Sequence, residues 1–97
     1  MKFEEFQKLL ETGEIPDDIP SLLQALLLDG AGDWEGAHTI AQNEFTRDGS
    51  WVHAYLHRVE GDMGNASYWY SDSGRKMPDM TLEEEWEAIA RKLLRKG

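Results

Sequence analysis

Two histidines one helical turn apart are the residues of this sequence best suited to chemistry. His53 and His57 are four positions apart, and a helix of 3.6 residues per turn places both imidazoles on the same side. Glu60 comes three positions later and continues this polar strip. Two imidazoles can bind one transition-metal ion, while a nearby carboxylate can act as a third ligand or as a general base. The spacing therefore predicts a metal site or an acid–base pair at the partly wet edge of the core.

The third histidine of the chain, His38, lies on the preceding predicted helix and would complete a set of three metal ligands. The string found in zinc peptidases is absent, because Ala54 follows His53 where those enzymes have Glu. The alternative interpretation is structural. In that case His53 and His57 border the core and hydrogen-bond to carboxylates and tyrosine hydroxyls of the next hairpin, and His38 is an interior or boundary histidine beside Trp34. The sequence leaves both interpretations open.

The aromatic residues after this strip suggest a groove for a ligand. Trp69 and Tyr70 share a helical face with Ala66 and are predicted to be buried, whereas Tyr68 points roughly the other way. A tyrosine that faces solvent is a candidate contact for a partner or ligand. The complete predicted polar site consists of His53, His57, Glu60, Trp51 and Tyr68, and the predicted metal ligands are His53, His57 and His38.

The elements that must position these residues are predicted to be helices. Val52, Tyr55, Leu56 and Val59 repeat at the i, i+3, i+4, i+7 spacing of one helical face. A helix stop at Gly61 and an N-cap at Asp62 then predict a break before the next helix. The same reasoning over the whole chain predicts six helices and no strands. It also predicts capping boxes over 21–24 and 81–84 and a turn at roughly 46–49.

A repeat of 29 residues organises the middle of the chain, because the segment 32–37 can be laid on the segment 61–66. Ala54, Gly61-Asp62, Ala66, Tyr70 and Pro78 resemble the tetratricopeptide and Sel1-like repeat motifs. The earlier copy has Ala25, Gly32-Asp33-Trp34 and Ala37, but Ala41 where the motif has an aromatic residue. The resemblance implies a single all-α domain built as a compact stack of antiparallel helical hairpins. Two short repeats would occupy 21–78, with a helix and connector over 1–20 and a further helix over 79–97.

A more specific likeness covers the segment 53–70. The string His-Ala-Tyr-Leu-His-Arg-x-Glu-Gly-Asp, followed by Asn-Ala-x-Tyr-Trp-Tyr, resembles a group of small uncharacterised proteins that share it. This likeness implies no activity.

Composition limits the classes of function. The net charge of −9 argues against a general surface for nucleic acid or anionic membranes. The chain has no cysteine, which excludes thiolate chemistry and disulfides. Its first residues do not form a secretory signal, and its apolar runs are too short to span a bilayer, so we expect a cytoplasmic protein.

Two functions follow as hypotheses, and the sequence does not decide whether the protein is an enzyme. The first is a module that binds a protein or peptide, which the helical-repeat resemblance implies. Two repeats offer little concave surface, so the partner would be small or the domain would form a homodimer. The second is a small metal-binding protein or enzyme that uses His53, His57, Glu60 and His38. Its cofactor would be a divalent transition metal, whereas the first function needs no cofactor.

Overall fold

The computed structural model describes residues 1–96, apart from the side chain of Lys96, and contains six α-helices over that range. They are α1 (Phe3–Thr12), α2 (Ser21–Gly30), α3 (Trp34–Gln42), α4 (Arg47–Val59), α5 (Met63–Asp72) and α6 (Leu82–Lys96). No strand occurs within these residues, so the all-α prediction is confirmed. None of these helices has the length and apolar character needed to cross a membrane.

The turns that follow α2 and α4 have the same backbone geometry. Gly32 and Gly61 adopt φ angles of +91° and +85°, which glycine tolerates because it has no Cβ. The next residue, Asp33 or Asp62, caps the following helix by accepting a hydrogen bond from the backbone of the third helical residue. The predicted break at residues 61–62 is therefore confirmed. The wider stack of tetratricopeptide-like hairpins stays a prediction.

Two predicted helix starts need correction. Ser21 is the first residue of α2 rather than its cap. Pro20 takes the cap position, and the Ser21 hydroxyl donates to Glu44 instead. The predicted turn over 46–49 is also wrong, because Thr46 caps α4 and Arg47 already belongs to the helix. The predicted box at 81–84 does form, with reciprocal bonds between Thr81 and Glu84.

Helix α4 occupies the centre of the molecule and packs against α2, α3, α5 and α6. Val52, Ala54 and Leu56 along it are completely buried. Helices α1 and α6 close the other side of the core, where Phe6 stacks on Trp86 with ring centroids 5.5 Å apart. Because α4 is surrounded, the two histidines of its polar strip are covered by neighbouring helices, while Glu60 stays exposed. This covering creates the site described next.

Candidate metal site

All three histidines of the chain meet at one place between α3 and α4. One ring nitrogen from each of His38, His53 and His57 lies within 4.8 Å of the others. The closest pair is His38 Nε2 and His53 Nε2, at 2.9 Å. The ring centroids are 4.6 Å apart for His38 and His53, 4.8 Å for His53 and His57, and 5.1 Å for His38 and His57. The structure therefore brings together the three residues named as metal ligands from the sequence.

The helices that carry these rings are fixed to each other by a tryptophan. The indole nitrogen of Trp34 on α3 donates a 2.7 Å hydrogen bond to the carbonyl of Leu56 on α4. This bond joins α3 to α4, and His38 faces the pair on α4. The predicted location at a partly wet edge is wrong, because His53 and His57 are only 6% and 8% exposed. His38 is the half-buried member of the cluster.

Two tryptophans enclose the imidazoles from opposite ends. Trp34 stacks on His38 with centroids 4.7 Å apart and an angle of 13° between the planes. Trp69, on α5, stacks on His53 at 4.1 Å and 20°. Such stacking restricts the rotation of the imidazoles and keeps their nitrogens directed towards each other. The result is a partly pre-organised set of nitrogen ligands in a largely apolar surrounding.

Glu60 orients the third ring. Nδ1 of His57 lies 2.6 Å from Oε1 of Glu60, so the ring donates its Nδ1 hydrogen to the carboxylate. In a neutral ring this bond leaves the lone pair on Nε2 of His57, the nitrogen that an ion would bind. A carboxylate that hydrogen-bonds the far side of a histidine is the usual outer partner of a metal-binding imidazole, because it fixes the orientation of the ring. Glu60 is therefore placed to orient the His57 ring.

The electrostatics at His38 and His53 favour uncharged imidazole. Burial, together with the neighbouring His38 and His57, lowers the pKa of His53 to about 4. Burial and the charge of His57 also lower the pKa of His38, against a smaller opposite effect of Glu60. At pH 7 both rings are consequently neutral, which is the form that binds metal ions.

The distances between the histidine nitrogens are close to those around a bound zinc ion but do not match them. Zinc with imidazole bonds of 2.0–2.1 Å in a tetrahedron needs nitrogens about 3.4 Å apart. His38 and His53, at 2.9 Å, must separate by about half an ångström for such an ion. A small rotation of the half-buried His38 side chain supplies this movement. The hydrogen bond between the Nε2 atoms of His38 and His53 also needs one of these atoms to carry a hydrogen. An ion that binds both atoms would displace that proton.

The other predicted site residues lie apart from this cluster or at its border. The Trp51 indole donates to Glu85 at 3.1 Å and lies beneath the guanidinium of Arg75 at 3.7 Å. Tyr68 is 63% exposed, and its ring meets the edge of Trp69 at 5.0 Å. The predicted groove that joins Trp51 and Tyr68 to the histidines is thus not assembled in this arrangement.

Sequence reasoning missed the buried carboxylate of Glu85, which is 1% exposed. It accepts hydrogen bonds from Arg58 at 2.8 Å, from the Tyr70 hydroxyl at 2.7 Å and from Trp51 at 3.1 Å. A signal was present, because Glu85 lies three positions after Leu82 and directly before Trp86, within the apolar stripe of α6. With three donors around it, this carboxylate ties α4, α5 and α6 together.

A cavity of about 320 Å³ borders the cluster on the side of His53 and Trp69. Ser50, Asp72 and Phe45 also line it, and the Ser50 hydroxyl donates to Asp72 at 2.5 Å. Phe45 is 92% exposed at the rim. The volume of the cavity lies at the lower end of the range for small-molecule sites, so a small ligand has space beside His53.

Comparison with known proteins adds no relative. No protein-family model, no curated protein and no solved structure matches this chain. The assignment of a function therefore depends on the site itself.

Proposed function

We propose that this protein binds one divalent transition-metal ion through His38, His53 and His57. Imidazole nitrogens suit zinc, copper and nickel, and zinc is our first choice because three histidines are a known set of zinc ligands. Three protein ligands leave one position of a tetrahedral ion for water or for a donor atom of a substrate. The proposal follows the second of the two functions predicted from the sequence.

The observation that carries the proposal is the convergence of every imidazole in the chain on one point. The three ring nitrogens lie within 4.8 Å of each other although His38 is 15 residues from His53 in sequence. Like-charged groups at such distances would repel, so the arrangement is stable with neutral rings or with an ion between them. The stacked tryptophans and the Glu60 carboxylate support the same interpretation, because they orient rings as a ligand set requires.

The direct test is calorimetric titration of the metal-free, untagged protein with zinc at pH 7. We expect one ion per chain with a dissociation constant below about 10⁻⁶ M, which corresponds to about 8 kcal/mol. His53→Ala and His57→Ala should each abolish this binding, and His38→Ala should weaken it at least tenfold. Because the chain has no cysteine and no fourth histidine, no other imidazole or thiolate can replace the lost ligands.

A control variant and a clear negative outcome complete the test. Glu35→Gln removes an exposed carboxylate from α3 and should leave the zinc affinity unchanged. Dissociation constants weaker than about 10⁻⁵ M in the wild type, or equal affinities in the wild type and His53→Ala, would return the three histidines to a purely structural role. Circular dichroism on each variant ensures that a loss of binding does not arise from unfolding.

The role in protein or peptide binding stays a prediction, and so does the homodimer. The exposed aromatic side chains of Phe45 and Tyr68 would be the first residues to examine for it, at 92% and 63% exposure. Sedimentation equilibrium of the full chain would test the homodimer.

A further inference from the structure

A second cavity, larger than the one beside His53, opens between α1, α2, α4 and α6. Its volume is about 490 Å³, which lies within the range of small-molecule binding sites. Apolar side chains form much of its wall, including Leu10, Val59 and Leu82. We refer to it as the acidic cleft, because its polar lining is dominated by Asp29, Glu83 and Glu87.

The charges of the acidic cleft all have one sign. Three carboxylates line it, while no lysine, arginine or histidine among the residues that the structure describes does so. Glu87 is neutralised by Arg91, 2.8 Å away on the next turn of α6. Asp29 and Glu83 form no ion pair with any described residue. The cleft therefore offers apolar walls and at least two carboxylates that lack a cation.

Asp29 is the carboxylate placed to hold a ligand. It is half-buried at the C-terminal end of α2, where the helix carbonyls add further negative charge. Its side chain accepts one hydrogen bond, from the Tyr55 hydroxyl at 3.3 Å, although a carboxylate has capacity for several. Burial raises the pKa of Asp29, so a cation at this position would relieve an unfavourable negative charge.

From this combination we infer that the acidic cleft binds a small organic ammonium ion carried on an apolar body. The ammonium group would donate to Asp29 and lie near Glu83, while the hydrocarbon part would contact Leu10, Val59 and Leu82. Apolar walls with a few converging polar groups are the usual composition of a small-molecule site. An anion of the same shape would meet the carboxylates and be excluded. This inference does not depend on the metal site, because none of the three histidines lines the cleft.

Three probes of one shape test the inference: hexylamine, 1-hexanol and hexanoate. Each is titrated into the metal-free, full-length protein at pH 7 and about 150 mM salt, where long-range attraction to the acidic protein is screened. Backbone amide NMR shifts are followed at Leu10, Gly30 and Val59. We expect hexylamine to bind with a dissociation constant of about 10⁻⁴ to 10⁻³ M, as befits a ligand of seven heavy atoms. Hexanol should bind at least tenfold more weakly, and hexanoate should not bind.

Variants locate the ammonium group. Asp29→Asn keeps the shape of the side chain and an acceptor for Tyr55, and should weaken hexylamine at least tenfold without changing hexanol. Glu83→Gln, at an exposed position, should weaken the binding of hexylamine severalfold. This variant replaces Asp29→Asn in the test if Asp29→Asn does not fold. Glu35→Gln removes a carboxylate outside the cleft and should have no effect. Equal affinities for hexylamine and hexanol, an unchanged affinity in Asp29→Asn, or shifts confined to other regions would overturn the inference.

Discussion

His57 and Glu60 are joined through Nδ1 and Oε1 at 2.6 Å, within one turn at the end of α4. In a neutral ring the bond selects the tautomer whose Nε2 is free of hydrogen. His53 lacks such a carboxylate partner, and its Nε2 instead lies 2.9 Å from Nε2 of His38. Of the three imidazoles, the one on His57 is therefore the best prepared to receive an ion.

Replacing Glu60 should weaken the metal site without removing it. Glu60→Gln keeps the size of the side chain but loses its charge, so the His57 ring loses the charged acceptor that orients it. Loss of such an outer partner commonly reduces metal affinity 10- to 100-fold. Zinc calorimetry should show this reduction with one ion still bound per chain. An affinity equal to that of Glu35→Gln would show that Glu60 does not act on the metal site.

The stability of the metal-free protein should depend on pH through His53. Its folded pKa is about 4, whereas an unfolded histidine has a pKa of about 6.5. Above pH 6.5 both states are neutral at this residue and its contribution is complete. As the pH falls from about 6.5 to about 4, the unfolded chain binds more protons, so the free energy of unfolding decreases. Below about 4 the contribution is lost.

Urea unfolding between pH 7.5 and 5 measures this dependence, and His53→Gln provides the comparison. Glutamine is neutral throughout, so the variant should lose stability less steeply between pH 6.5 and 5, whatever its stability at pH 7.5. The lowered pKa of His38 acts in the same direction. Because His38 is still present in His53→Gln, part of the pH dependence of the free energy of unfolding stays in the variant. Identical slopes in the two proteins would argue against a strongly lowered pKa at His53.

The sequence allowed the helices and the histidine pair to be predicted, but not the burial of the pair. The spacing of His53 and His57 specifies a shared face, and the Gly61-Asp62 signal specifies where that helix ends. Periodicity within one helix contains no information about which neighbours cover each face. Helix α4 is surrounded by four others, so His53 and His57 lie in the interior. The apolar stripe of α6 indicated that Glu85 is buried, but its partners could not be predicted in this way, since its donors Arg58 and Tyr70 come from other helices.

Removing the buried carboxylate of Glu85 should be strongly destabilising. Glu85→Ala leaves the guanidinium of Arg58, which is 13% exposed, without its 2.8 Å partner. It also deprives the Tyr70 hydroxyl and the Trp51 indole of their acceptor. Breaking one partner of a buried ion pair typically costs about 3–5 kcal/mol. Denaturant unfolding should show a loss of this size, against about 0.5 kcal/mol or less for Glu83→Ala at the exposed neighbouring position. Similar losses in both variants would refute the role given to Glu85.

Two glycines of the same chain offer a matched test of packing at the start of α4. A Cβ added to buried Gly49 would lie 2.1 Å from the backbone carbonyl oxygen of Glu44, whereas one added to Gly64 meets nothing closer than 3.9 Å. The Glu44 carbonyl belongs to the turn before α4 and cannot move away by a side-chain rotation. Gly49→Ala should therefore cost about 1–3 kcal/mol through overpacking. Gly64→Ala should be neutral or stabilise α5 by up to about 1 kcal/mol, because alanine favours helix. Thermal and urea unfolding of the two variants measure the difference, and a Gly49→Ala protein as stable as Gly64→Ala would contradict the close contact between Gly49 and Glu44.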